Sequence, residues 1–210
     1  MSKKSNGTST VDSGIGECEF IIKGSSRHVQ HNPQCVNPLN PYKKAIAALT
    51  KKPAKNKSDD DFEEICRLEW EASLYLQDGR VVVPGEVIEG ALVEAGRKSR
   101  DGPNVRAGVW SMGHWRLDFP GNDRTIEELR RDPRHIHVCR VGINGTKSIM
   151  RTRAVFPDWG LTFRVWHLKE IFSATDVHGL VDTLGRIVGL SDDRAIRGGR
   201  FEIVSWSSIG

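Results

Sequence analysis

Four groups of residues in this sequence have the types and spacing to do chemistry. His135, His137 and Cys139 recur at every second position of RHIHVCRV. On a strand they share one face, which sets three potential metal ligands in a row. Zinc sites usually draw four ligands from two separated pairs, and no partner pair is evident, so a sheet face without metal is expected. Cys35 lies near His28 and His31. Nucleophile–base pairs form in space rather than along the chain, so this proximity assigns no catalytic role. No GxSxG elbow and no Walker A lysine occurs. Asp59, Asp60 and Asp61 answer a helix dipole, and Asp192 and Asp193 balance Arg194 and Arg197. No catalytic residue and no cofactor is expected from these groups.

The fourth group points to a polyanion. A strand over 148–156 places Arg151, Arg153 and Val155 on one face. A strand over 161–168 places Leu161, Phe163 and Val165 on one face and Thr162, Arg164 and Trp166 on the other. If these strands are neighbours, one sheet presents guanidinium groups for phosphates and an indole for bases. The alternative is a tryptophan packed under a loop and arginines in surface ion pairs. Residues 42–57, YKKAIAALTKKPAKNK, carry Lys43, Lys44, Lys51, Lys52, Lys55 and Lys57 with no acid, as a solvated loop or a polyanion-binding arm. In 185–203, Gly185, Gly189, Gly198 and Gly199 are interleaved with Arg186, Arg194, Arg197 and Arg200. Glycines let backbone N–H groups approach a phosphate and arginines supply charge. Here the glycines precede a strand, so this is not a P-loop, and glycine at a helix end also has a purely structural use.

The elements that position these groups follow from periodicity and punctuation. The chain has 210 residues, 38% hydrophobic, with a net charge of +4, enough for one sizeable core and a mild bias toward anionic partners. No apolar run approaches the ~20 residues that span a bilayer. The lysines of the first residues precede no apolar stretch, so no secretory signal is expected. Cys18, Cys35, Cys66 and Cys139 form no CxxC pair, which suits reduced thiols in a cytoplasm, the host's if the chain is phage-encoded. Residues 1–15 have almost nothing to bury and are expected to be disordered. Strands are expected at 17–23, 134–141, 148–156, 160–168 and 200–206, with two short ones within 105–119. A hairpin is expected at 74–83 turning on Asp78-Gly79, and a turn at Asn144-Gly145. The Pro-rich stretch 28–41 reads as an irregular loop. Helices are expected at 59–70 behind Ser58, with Phe62, Ile65, Cys66 and Glu69 on one face, and from Pro84, with Val87, Ile88, Ala91, Leu92 and Ala95 inward. Two more are expected, a short one at 125–131 and one capped by Thr175, with Val177, Leu180, Val181, Leu184 and Val188 inward. Adjacent strands with scattered helices predict an α+β fold with an antiparallel sheet.

Two segments resemble the RAMP superfamily, whose members form the RNA-binding backbone of CRISPR effector complexes. VPGEVIEGALVEAGRK (83–98) is similar to its helix-start motif at Gly85, Glu86 and Gly90, and GRIVGLSDDRAIRGGRF (185–201) to its late glycine-rich loop at Gly198, Gly199, Arg200 and Phe201. Glu86 and Val87 stand where the motif has two serines, and a carboxylate repels phosphate. Residues 28–41 contain no Asp or Glu, so the aspartate of the cleaving backbone subunits has no counterpart. The segment 152–169 resembles uncharacterised phage proteins. The resemblance implies a ferredoxin-like or RRM-like antiparallel sheet with helices on one face and inserted loops, as one domain over 16–210 with 42–57 as a lysine-rich loop or arm. It implies a non-enzymatic, phage-borne protein that binds single-stranded RNA or DNA and assembles along it as a homo-oligomer or as a subunit of a nucleoprotein complex, with no membrane. Lys43, Lys44, Lys51 and Lys52 would act from the arm, Arg151, Arg153, Arg164 and Trp166 from a sheet, and Arg194, Arg197, Gly198, Gly199 and Arg200 at the glycine loop. Two alternatives are a metal-independent ribonuclease with His28 or His31 as general base, and a phage assembly protein whose exposed tryptophans contact one another.

Overall fold

A computed structural model describes residues 14–143 and 147–209. The described residues open with β1 (Ile15–Gly24) and the two-residue β2 (His28–Val29). A 3-10 turn at Pro33–Val36 leads into α1 (Pro41–Thr50) and α2 (Asp59–Ser73). The lysine-rich stretch is thus largely a helix rather than a loop or arm. Pro41 occupies its first turn, where a missing N–H costs nothing, and the Asn40 side chain accepts from Tyr42 N and Lys43 N. Ser58 and Asp61 form the expected capping box on α2. The face of α2 that carries Phe62 and Cys66 is not the buried one: Leu68, Trp70, Ala72 and Ser73 are buried, while Phe62 and Cys66 are exposed, because only its C-terminal half meets the core.

The hairpin β3 (Leu76–Gln77) and β4 (Arg80–Pro84) turns on Asp78 (φ 50) and Gly79 (φ 72), both left-handed as a type I′ turn requires. Then come α3 (Gly85–Lys98), α4 (Gly102–Gly108), β5 (Val109–Trp110), β6 (His114–Asp118) and α5 (Ile126–Arg131). The helix α4 occupies part of what reads as a polar exit and strand in the sequence. Next are β7 (Ile136–Ile143), β8 (Lys147–Phe156) and β9 (Gly160–Leu168), and the turn expected at Asn144-Gly145 lies outside the described residues. The last elements are α6 (Ala174–Thr183), a π-helical turn at Leu184–Val188 and β10 (Phe201–Ile209). Ser173, not Thr175, caps α6, in a capping box with Asp176.

The main sheet runs β10-β1-β9-β6-β4-β3, with β5 also on β9, and every paired neighbour is antiparallel. Taken alone, β1, α3, β6, β9, α6 and β10 form a βαββαβ unit with sheet order β10-β1-β9-β6, the ferredoxin-like arrangement. Besides α4 and β5, which lie between α3 and β6, two larger insertions decorate it. Between β1 and α3 lie β2, α1, α2 and the β3–β4 hairpin; between β6 and β9 lie α5 and the β7–β8 hairpin. Strands β2, β8 and β7 make a separate sheet.

Alternation on the central strands aims Cys18, Phe20 and Ile22 of β1 and Leu161, Phe163 and Val165 of β9 at one face. That face is covered by Ile88, Ala91, Leu92 and Ala95 of α3 and Val177 and Val181 of α6. Phe20 sits directly across from Phe163, with ring centroids 5.6 Å apart. Each such ring contributes about 1.5–3 kcal/mol by burial.

Candidate nucleic-acid interface

The two arginines of β8 are placed by carboxylates from other elements. Arg151 pairs with Glu69 of α2, whose other oxygen accepts from Thr152 N at 2.9 Å. Arg153 pairs with Asp192, whose own N–H donates to Val29 O of β2 at 3.0 Å. Across β7, His137 faces Arg153 and Cys139 faces Arg151. Nearby, Arg27 Nε binds Asp193 at 2.9 Å. His31 lies among these groups. Burial holds its imidazole below the usual histidine range, Arg153 and Arg151 push the same way, and Asp192 opposes them. His31 is therefore an uncharged ring beside two guanidinium groups near neutral pH.

Two cavities adjoin at His31. The smaller, about 150 Å³, is lined by His31, Asn32, Cys35, Lys43, Arg151 and Arg153 among others. The larger, about 280 Å³, has Val29, Val83 and Val87 as apolar lining, with Tyr75, Glu86, Asp192 and Arg194 also on its wall. The Tyr75 hydroxyl donates to His31 O at 3.1 Å, and burial together with Asp192 and Glu86 raises its phenol above the usual range.

Four of the basic residues assigned to a polyanion site meet here: Lys43 from α1, Arg151 and Arg153 from β8, and Arg194, which also pairs with Glu94 of α3 at 2.9 Å. The others do not. Lys44 and Lys51 are exposed away from both cavities, and Lys52 binds Asp61 at 2.6 Å. Strands β8 and β9 are not neighbours, so Arg164 and Trp166 do not join Arg151 and Arg153. Arg164 lies on the helix-free face of the main sheet, held at 2.9 Å by both Glu17 and Glu19, and Trp166 is half-buried beside Trp115. Two acids of β1 thus engage the arginine that this sheet face would offer to a strand.

The glycine loop is tightly packed, and the N–H groups of both its glycines bond within the protein. Gly199 (φ 70) donates to Arg27 O at 2.7 Å, Gly198 donates to Asp193 O at 3.2 Å, and a Cβ on Gly199 would lie 2.4 Å from Leu190 backbone. Arg197 is left-handed, with φ 71, and its carbonyl accepts from the Ser26 hydroxyl. Arg200 anchors the loop through its backbone, and its buried Nη1 has no hydrogen-bond partner among the described residues.

The histidine readings also change. His28 is 3% exposed; its Nδ1 donates to Leu190 O at 2.6 Å, and burial lowers its pKa to about 4. It is a core histidine, not an accessible base. His135 precedes β7, buried, with Nδ1 donating to Val155 O at 3.0 Å, so it does not share a ligand face with His137 and Cys139. Arg27 and Tyr75 were not legible as site residues; the only local signal was the Arg27-His28 pair at the head of the Pro-rich stretch.

No family model matches this sequence, and no curated protein is similar to it. Solved structures that it resembles include two. One is the cryo-EM structure of the Type III-B Cmr-beta bound to cognate target RNA, with a TM-score of 0.47 and 9% identity over 93% of this chain and 61% of that one. This chain thus spans about three fifths of that neighbour's length. The other is the crystal structure of Cmr6 from Pyrococcus furiosus, with a TM-score of 0.38 and 11% identity over 90% of this chain and 98% of that one. In the ferredoxin-like unit, Gly85 opens the first crossover helix, and Gly198 and Gly199 close the second crossover before the last strand.

Proposed function

We propose that this protein binds single-stranded nucleic acid, RNA or DNA, without cleaving it, as a RAMP-like subunit of a nucleoprotein assembly. One observation carries the reading: Lys43, His31, Arg151 and Arg153, drawn from three separate stretches of chain, line one cavity of about 150 Å³. Each guanidinium presents five N–H donors in a fork, and one carboxylate partner leaves donors for a phosphate. The site is concave, which suits a strand whose bases can splay away from its backbone better than a rigid duplex. Side-by-side assembly is supported by β10, an edge strand that exposes Val204, Trp206 and Ile209.

Fluorescence anisotropy with labelled single-stranded RNA and DNA at two salt concentrations tests the reading. Submicromolar binding with a steep salt slope is expected. Absence of binding at low salt overturns it.

A second reading, a metal-independent ribonuclease, is favoured by the position of His31, a neutral imidazole adjoining the arginines. Such a base would take the proton of a 2′-hydroxyl poised for attack on the adjacent phosphate. Products ending in a 2′,3′-cyclic phosphate, lost in His31→Ala with binding intact, would establish it.

A further inference from the structure

We infer that the larger cavity receives one guanine base of the bound strand and reads its Watson–Crick edge through Glu86, an inference that rests on the neighbouring cavity being a phosphate site. The two cavities meet at His31, so a nucleotide whose phosphate lies against Arg151 and Arg153 has its base within reach of the second. That second cavity disfavours phosphate: Glu86 and Asp192 both line it, Arg153 already pairs with Asp192, and Arg194, also on its wall, pairs with Glu94 at 2.9 Å. Its remaining lining suits a base, with Val29, Val83 and Val87 as apolar surface and Tyr75 as an aromatic wall.

Glu86 determines which base. It is exposed in the first turn of α3, and its side chain has no hydrogen bond or ion pair among the described residues. An ionised carboxylate only accepts. Guanine offers it two adjacent donors, N1–H and the 2-amino group. Adenine and cytosine set a lone-pair nitrogen beside the amino group, and uracil flanks its single N–H with carbonyls, so each of them turns an acceptor toward the carboxylate. Gly90 is the second observation. It lies one helical turn after Glu86 on the same face of α3, lines the cavity, and a Cβ there would meet nothing within 4 Å. Glycine inside a helix costs about 1 kcal/mol against alanine, and packing gives no reason for it here. A side chain at this position would project over the cavity and cover the carboxylate.

The test uses the full-length chain and labelled single-stranded RNA 12-mers of uridine carrying one central guanine, adenine or inosine, alongside uridine alone. The guanine strand is expected to bind roughly tenfold tighter than the adenine strand. Inosine, which lacks only the 2-amino group, is expected to fall between them. Glu86→Ala and Gly90→Leu are expected to abolish this preference while leaving affinity for the uridine strand within about twofold. Both positions are exposed, and unchanged melting temperatures separate the effect from misfolding. Salt-steep binding with no guanine preference overturns the inference and leaves the phosphate site standing, as does a preference that survives in both variants. Failure to bind any strand overturns the phosphate site and the inference with it.

Discussion

The Arg153 guanidinium holds the Asp192 carboxylate, and this one pair joins strand β8 of the second insertion to the loop that precedes β10. The side chains are only 14% and 29% exposed, so the pair is better shielded than a surface contact. It brings together the arginine strand, the Pro-rich segment after β1 and the glycine loop, three regions that the sequence keeps far apart.

Arg151→Ala and Arg153→Ala should each weaken binding to all strands alike and reduce the salt slope by about one. Arg164→Ala should leave both unchanged, since Arg164 is bound by Glu17 and Glu19 on another face. Anisotropy titrations across salt concentrations measure this. An effect of Arg164→Ala equal to that of Arg153→Ala would move the site to the main sheet.

Of the lysines around α1, Lys43→Ala should lower affinity and Lys52→Ala should not. Lys43 lines the smaller cavity, and Lys52 is already paired with Asp61. Parallel titrations of the two variants against one labelled strand compare them directly.

Gly199→Ala should destabilise the fold by at least about 1 kcal/mol, because an L-residue is strained at a positive φ and its Cβ would strike Leu190 backbone. Urea denaturation reads this as a lower midpoint with an unchanged slope. A stable Gly199→Ala protein with weakened binding would instead place a phosphate contact at the glycine loop.

Acid should destabilise the protein before its carboxylates titrate. His28 is held neutral in the fold, with a pKa near 4 against 6.5 unfolded, so between those values the unfolded chain binds the extra proton. Stability is therefore full above about pH 6.5 and falls toward pH 4, by on the order of 3 kcal/mol. His31 and His137 are lowered by burial and add in the same direction. Denaturation midpoints measured from pH 7 to pH 4 should fall, and His28→Gln should flatten that dependence.

The sequence by itself determined the elements whose burial pattern is local. Strand alternation on 17–23 and 160–168, the stripe on α3 and the Asp78-Gly79 turn are set by periods of two and 3.6 and by the few residues that tolerate a positive φ. Proline and paired lysines hid α1, because its N-cap and its packing on α2 are not visible in composition. Only the tertiary structure decided which cations are left for a ligand. Arg151, Arg153 and Arg164 look alike along the chain, yet their carboxylate partners lie 82, 39 and 145–147 residues away in sequence. Strand order separates β8 from β9, gives Arg164 two acids of β1, and gives Arg151 and Arg153 one acid each beside Lys43 and His31. Charge compensation falls off over a few ångströms, so it follows the fold rather than the sequence.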